Sequence, residues 1–164
     1  MSTQLQAESS DALLQLVTFR VAEEEYGVDI LSVQEIIRHT DITKVPSAPP
    51  FVEGVLNLRG KVIPIIDMRK RFGLAPRQAD KMTRIVVFAL GGKVMGCLVD
   101  SVSEVLRLPS SMVDAPPAAI TQLDSAFIRG VGRLDDRLLI LLDSEQVLAV
   151  EEVGSLVNSG LHKQ

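Results

Sequence analysis

The chain has 164 residues, 46% of them hydrophobic, and its 17 Lys and Arg against 21 Asp and Glu give a formal net charge of −4. This length and hydrophobic content support an extensive core and exclude a disordered protein. The acidic balance and the absence of tryptophan argue against a nucleic-acid-binding protein, which needs a basic surface or stacking aromatic rings.

The sequence also indicates where the protein is found. No apolar run approaches the roughly 18 residues of a membrane span, and residues 1–11 lack the apolar segment of a signal peptide. The single cysteine, Cys97, has no partner for an internal disulfide and lies in an apolar run, which is typical of a buried thiol in a reducing compartment. We therefore expect a cytoplasmic protein that does not insert into the membrane.

The sequence repeats itself in chain order. Residues 17–38 align without a gap with residues 86–107, and residues 51–67 align with residues 127–143. Identical pairs include Phe19/Phe88, Gly27/Gly96, Glu35/Glu104, Gly54/Gly130 and Asp67/Asp143. The chain is therefore interpreted as a tandem duplication of one β-rich unit.

Each copy opens with a predicted hairpin, whose turn is at Glu23-Glu24 in the first copy and at Gly91-Gly92 in the second. A Ser-x-x-Glu sequence follows, at Ser32–Glu35 and at Ser101–Glu104. This capping-box pattern predicts a helical turn leading into a strand, and strand throughout is the alternative.

Each copy ends with a second hairpin, closed by Arg59-Gly60 or by Asp135-Asp136. The run Val62–Ile66 is apolar on both faces, so we expect it to be covered on both sides. Pro64 lacks a backbone donor and suggests a barrel rim or a sheet edge. Asp67 is predicted to cap a short helix after this strand, and Ser144 to cap a helix over about residues 145–156.

Four or five short strands in each copy favour small closed barrels, which leave few unpaired edges. We predict an all-β fold with short helices, in which two similar barrels form a domain at residues 13–150 with a boundary near residues 74–82. A flexible tail at residues 1–12 and a C-terminal helix and tail at residues 144–164 complete the chain.

No pattern of catalytic or metal-binding residues is present. His39 and His162 have no ligands at metal-binding spacing, and Gly91-Gly-Lys93 lacks the remaining residues of a phosphate loop. Asp67 and Asp143 occupy equivalent strand ends, which favours helix capping over acid–base catalysis. We expect no catalytic residue, no metal and no cofactor.

One stretch carries a resemblance to a known family. Asn57-Leu-Arg-Gly60, followed by Val62-Ile-Pro-Ile-Ile-Asp67 and Arg69, resembles the CheW family of bacterial chemotaxis coupling proteins, as do Glu25-Tyr-Gly-Val-Asp-Ile30 and Val33-Gln-Glu35. The resemblance covers about residues 16–150. It implies two five-stranded barrels of SH3/OB type that exchange segments between the copies.

The resemblance also implies a function and its partners. The chain would be a non-enzymatic adaptor between the cytoplasmic tip of methyl-accepting chemoreceptors and the CheW-like regulatory domain of the CheA histidine kinase. It would lie at receptor arrays, with self-association there as a further option. The receptor-binding positions that it implies are Val33, Glu35, Asn57, Arg59 and Val105.

Without the resemblance, Arg59 would be interpreted as a solvated turn residue and Glu35 as a capping carboxylate. With it, we expect Glu35 and Arg59 to form an ion pair at a groove between the barrels, with Gly60 completing the turn.

Other functions remain open at this point. One is an adaptor of a chemotaxis-like pathway that controls twitching motility or another output. A small barrel enzyme or ligand-binding protein, with Asp67 and Asp143 facing a cavity, is a second alternative. A nucleic-acid-binding barrel is the third, and the composition argues against it.

Overall fold

The computed structural model describes residues 12–116 and 127–148, and the strands dominate this part of the chain. The strands are β1 (Leu13–Val21), β2 (Glu24–Asp29), β3 (Val33–Arg38), β4 (Val52–Leu58), β5 (Lys61–Asp67), β6 (Arg84–Leu90), β7 (Lys93–Val99), β8 (Ser101–Pro109), β9 (Val113–Asp114), β10 (Ile128–Arg133) and β11 (Leu138–Leu142). Within residues 12–116 and 127–148, the helical segments are 3-10 turns at Ile30–Ser32 and Ser110–Met112 and short α-helices at Met68–Arg71 and Ser144–Leu148. The predicted all-β class is confirmed.

The strands form two sheets. The first sheet has five strands in the order β3-β6-β7-β5-β4, and the second has six in the order β8-β1-β2-β11-β10-β9. Replacing each strand by its repeat equivalent converts the first order into the second, apart from the additional β9. The duplication found in the sequence therefore corresponds to two sheets of the same topology.

The two copies exchange their first hairpins. β1 and β2, from the first copy, pair with β8 and β11 of the second copy, whereas β6 and β7 pair with β3 and β5 of the first. Residues 74–82 connect the Met68–Arg71 helix to β6. A domain boundary within residues 74–82 would not separate the two sheets, because β6 and β7, which follow it, lie in the same sheet as β3, β4 and β5, which precede it.

Each sheet curls around a small apolar cluster of its own. In the first sheet, Leu56, Ile63 and Ile85 form such a cluster, against which Ile37 of β3 also packs. Since β3 and β4 lie at opposite ends of the strand order and contact the same cluster, the sheet must curl toward a barrel. The second sheet encloses a separate cluster of leucines.

A larger third cluster joins the two sheets and explains why the central strands are apolar on both faces. On β5, Ile63 and Ile65 point into the first sheet's own cluster, whereas Ile66 packs in the joint cluster. On β6, Val86 and Phe88 face the joint cluster in the same way. The prediction of two-sided burial is confirmed for residues 63–66 and was wrong for Val62, which is 41% exposed.

Pro64 is buried in β5 between β7 and β4, so the prediction of a sheet edge was wrong. The proline is tolerated because the ladder to β7 begins only at Ile65, and β4 pairs with β5 on the other side. A missing backbone donor therefore breaks no bond with β7 at this position.

The Gly91-Gly92 turn lies where predicted, with both residues at positive φ, 56° and 80°. The turn between β1 and β2 lies one residue earlier than predicted, at Ala22-Glu23, because Val21 pairs with Glu24. Ala22 itself takes a positive φ of 55°.

In the first copy a helical turn leads into a strand as predicted, but Ser32 is not its cap, and in the second copy the alternative of strand throughout is correct. The 3-10 turn at Ile30–Ser32 precedes the strand and is capped by Asp29, whose carboxylate accepts a hydrogen bond from the Leu31 backbone N–H at 2.9 Å. Glu35 lies within β3, and Ser101–Glu104 is strand throughout. An aspartate three residues before Ser32 competed successfully for the cap.

Asp67 caps the Met68–Arg71 helix as predicted, accepting a hydrogen bond from the Arg69 backbone N–H at 2.9 Å. For the second short helix the predicted capping by Asp143 is confirmed and the predicted capping by Ser144 was wrong, because Asp143 accepts from the backbone N–H groups of Glu145 and Gln146. The part of that predicted helix beyond Leu148 lies outside the described residues, as do most of the predicted N-terminal tail and the whole of residues 149–164.

Candidate functional site

The structure brings Glu35 and Arg59 together at one end of the first sheet. The Arg59 guanidinium donates through Nη1 to Glu35 Oε1 at 3.1 Å and through Nη2 to Oε2, which makes a two-pronged ion pair. Both partners belong to the first sheet, so the pair links edge strand β3 to the β4–β5 turn. Such fork-shaped contacts fix the direction of both side chains.

The turn that presents Arg59 is held by Asn57. Arg59 and Gly60 take positive φ values of 51° and 83°, which gives the tight turn that suits the twist of a hairpin. The Asn57 Oδ1 atom accepts a hydrogen bond from the Gly60 backbone N–H at 2.8 Å. Asn57 therefore fixes the turn, and Gly60 supplies the conformation that a side chain disfavours.

The ion pair is exposed to solvent, and hydrogen bonds favour the charged form of Glu35. Arg59 is 65% exposed and Glu35 25% exposed. Hydrogen bonds from Arg59, and then from Gln34, hold the pKa of the Glu35 carboxyl below its usual range. Exposed ion pairs contribute little to folding, so this geometry is more useful for presenting charge than for stability.

The two apolar residues of the predicted site lie in different sheets. Val33 begins β3, is half-buried and packs against the joint cluster of the two sheets. Val105 lies on edge strand β8 of the second sheet and is 60% exposed. Val33 thus combines a contact with the core and a partly open face, whereas Val105 is a surface residue.

The second sheet carries a related ion pair that the sequence analysis missed. Arg137, at the β10–β11 turn, donates to Glu104 at 3.0 Å and to the buried Glu25 at 2.6 Å. Glu104 is the repeat equivalent of Glu35. The signal was hidden because the gap-free alignment places Asp135 opposite Arg59, two residues before the cation that makes the contact.

Arg69, which belongs to the motif that resembles the family, connects the helix after β5 to Asp100. Its guanidinium donates to both Asp100 oxygens, at 2.7 to 3.2 Å, and the Ala22 backbone N–H donates to the same carboxylate at 2.8 Å. Burial opposes ionisation of Asp100, and the bonds from Arg69 and Ala22 outweigh it, so its pKa lies below the usual range. The Asp100 carboxylate therefore ties the helix after β5 to the β1–β2 turn.

Comparison with known proteins identifies the family. The model of the CheW-like domain matches residues 15–152, which is most of the chain. The chain belongs to the CheW family. The chemotaxis protein CheW of Klebsiella aerogenes is 38% identical over 144 residues, covering 88% of this chain and 87% of that protein. The CheW protein of Treponema pallidum is 35% identical over 153 residues, covering 91% of this chain and 90% of the relative.

A solved CheW structure has the same fold. The scaffolding protein TtCheW from Thermoanaerobacter tengcongensis is 40% identical, covers 80% of this chain and 85% of its own, and superposes with a TM-score of 0.74. The family resemblance noted in the sequence is thereby confirmed, and the chain is a chemotaxis coupling adaptor of the CheW family.

Two further findings concern the described residues alone. Within residues 12–116 and 127–148, no group of three or more His, Cys, Asp or Glu side chains could hold a metal ion. Over the same ranges, no helix is long and apolar enough to cross a membrane.

Proposed function

We propose that this CheW-family adaptor couples the cytoplasmic tip of methyl-accepting chemoreceptors to a CheA-type histidine kinase, without catalysing a reaction itself. The observation that carries the proposal is the Glu35–Arg59 pair, formed by two of the positions that the family motif assigns to receptor binding. It would act in the cytoplasm, at receptor arrays, where copies could also associate with one another. The same coupling in a chemotaxis-like pathway with another output is the second candidate.

The receptor-binding residues in this proposal divide into two roles. Val33 and Val105 would supply apolar contact, since both keep part of their surface open to solvent. Glu35 and Arg59 would supply the polar rim, and Asn57 would hold their turn. A helical receptor tip laying an apolar stripe on such a surface corresponds to the helix-in-groove mode of recognition.

A charge exchange tests whether the pair contacts the receptor. Arg59→Glu and Glu35→Arg each place two like charges side by side, and we expect each to weaken binding of a purified receptor cytoplasmic fragment about tenfold or more. The double variant restores the attraction with reversed polarity. Because a receptor surface recognises the original polarity, we expect binding to stay weak in the double variant.

The control is Arg133→Glu, at an exposed pair with Asp114 on the second sheet. Binding to the receptor fragment and to the kinase regulatory domain is measured for all four variants, alongside thermal melting. Full recovery of receptor binding in the double variant would show that the pair is only structural. Loss of receptor binding in the Arg133→Glu control would show that an added negative charge weakens receptor binding wherever it lies on the surface.

Val33 provides a second test. Val33→Asp is expected to reduce receptor binding tenfold or more while kinase binding is kept. Because Val33 also packs against the joint cluster, Val33→Ala and thermal melting are measured in parallel. Loss of receptor binding, kinase binding and folding together in Val33→Asp would assign the residue to the core alone.

A further inference from the structure

A cleft of about 700 Å³ opens at the end of the first sheet that lies away from the Arg59-Gly60 turn. Its walls are the end of β3 with the loop after it, the open end of the β4–β5 hairpin, and the segment that leads into β6. Glu53 on the cleft wall lies five residues along β4 from Leu58, beside the turn, which corresponds to about 17 Å of strand. Neither Glu35 nor Arg59 lines the cleft.

The cleft concentrates positive charge on an acidic protein. Among residues 12–116 and 127–148, six cations line it, namely Arg38, Lys44, Lys70, Arg77, Lys81 and Arg84. Four carboxylates line it as well, namely Asp41, Glu53, Asp67 and Asp80. The cleft thus has an excess of two cations, whereas the whole chain has an excess of four carboxylates. A concave surface with an excess of one sign of charge focuses its field on a ligand of the opposite sign.

Several of the cleft's carboxylates are already engaged. Asp80 pairs with Arg77 at 2.6 Å and also accepts from the Met82 backbone N–H at 2.8 Å. Glu53 lies 3.8 Å from the Lys70 ammonium, and Asp67 caps the short helix. The internal carboxylates therefore neutralise only part of the cationic lining.

Three cations of the cleft have no such partner. The side chains of Arg38, Lys44 and Lys81 are exposed and make no hydrogen bond or ion pair with any residue in 12–116 or 127–148. They come from three separate places, the end of β3, the loop after it and the segment before β6, and converge on one cleft. A ligand that carries several negative groups could pair with all three.

We propose that this cleft binds an acidic peptide segment of a partner protein. The carboxylates on its walls favour a peptide over a nucleic acid or an anionic membrane, because they repel closely spaced phosphates, whereas a peptide can separate its acidic side chains by neutral residues. The concave shape also favours an extended chain over a flat surface. The site is separate from the positions proposed for the receptor, so it would give the adaptor a further contact with a partner.

The test uses two fluorescein-labelled peptides of eight residues, one alternating Glu and Gly and the other alternating Gln and Gly. Fluorescence anisotropy should show binding of the first peptide and not of the second, and binding should weaken between 50 and 500 mM NaCl. Replacing Arg38, Lys44 and Lys81 together by Gln should lower the affinity about tenfold, since each exposed charge contact contributes a few-fold. The three side chains hold nothing in place, so the melting temperature should not change.

The matched control replaces Lys93, Arg107 and Arg129 by Gln. These side chains are exposed and lie outside the cleft, and replacing them removes the same total charge as the cleft variant. We expect the control to bind the acidic peptide within about twofold of the unmodified chain. An equal loss in the two triple variants would overturn the proposal, as would the absence of any peptide binding. Displacement of the peptide by 5 mM inorganic phosphate at constant ionic strength would also overturn it, because the cleft would then be a simple anion site.

Discussion

Asp100 should contribute more to stability than any surface ion pair, because its carboxylate joins separate parts of the fold. The Asp100 and Arg69 side chains are each only 16% exposed, and Asp100 accepts bonds from Arg69 and from the Ala22 backbone. Removing one partner of a fully buried pair costs about 3–5 kcal/mol. Because both side chains keep some contact with water, we expect Asp100→Ala to lower the free energy of unfolding by about 2–3 kcal/mol.

Two comparisons make this expectation specific. Asp100→Asn keeps one oxygen that can accept from Ala22, so it should cost less than Asp100→Ala, by about 1 kcal/mol. Asp114→Ala removes a carboxylate that pairs with Arg133 at 2.9 Å, but both of these side chains are more than half exposed. That change should cost at most about 0.5 kcal/mol.

The assay is urea unfolding followed by far-ultraviolet circular dichroism at pH 7, with the free energy of unfolding taken from linear extrapolation. Free energies of unfolding within about 0.5 kcal/mol of each other for Asp100→Ala and Asp114→Ala would refute the stabilising role of Asp100. An unchanged stability of Arg69→Ala would refute it as well, since Arg69 is the main charged partner of Asp100.

Three further predictions follow from other details. The pKa of Asp100 is lowered in the folded chain, so its stabilising effect is complete above the unfolded pKa of about 3.9 and is lost as pH falls through the lower folded pKa. The difference in unfolding free energy between the unmodified chain and Asp100→Ala should therefore shrink below about pH 4. A constant difference from about pH 7 to about pH 2.5 would contradict this. Gly96→Ala adds a Cβ 2.7 Å from Ile65 and should lower the free energy of unfolding in urea by about 1–3 kcal/mol. Gly27→Ala places the Cβ 3.2 Å from Leu139 and should lower it by less. Equal losses of stability would show that the neighbouring side chains adapt freely. Burial raises the pKa of the Cys97 thiol, so Ellman's reagent should react with this thiol only after the chain is unfolded in urea. Rapid labelling of the native chain would disprove the burial of Cys97.

The local features of the fold were predictable because short-range chemistry decides them. Asp67 caps a helix because its carboxylate lies two residues from a free N–H, and Gly91-Gly92 turns because glycine tolerates positive φ. The Ser32 prediction failed because two polar residues competed for one cap, and a pattern of four letters does not rank Asp29 above Ser32. The β1–β2 turn was misplaced by one residue because neither Ala22 nor Glu23 is a typical turn residue.

Features that depend on distant partners were harder to predict. The Glu35–Arg59 contact was anticipated only through the family resemblance, since 24 residues separate the two side chains and nothing local connects them. The contact of Arg137 with Glu104 and Glu25 has no counterpart at the aligned position, so repeat symmetry alone pointed to Asp135, a residue of the wrong charge. The cationic cleft is formed by segments that are each unremarkable in sequence and become a site only when they converge.

The exchange of hairpins limits how such a protein could have arisen. A chain with a single unit, ending near residue 83, would contain β1 and β2 but would lack the β6–β7 hairpin that completes the sheet of β3, β4 and β5. It could complete both sheets only by lending its hairpin to a second copy and receiving one in return, which describes a domain-swapped homodimer with twofold symmetry. Fusing two such genes would turn that mutual exchange into an intramolecular one, after which the two halves were free to diverge. The different residues at the two equivalent turns, Arg59 in one half and Asp135 in the other, are a difference that such a fusion would allow.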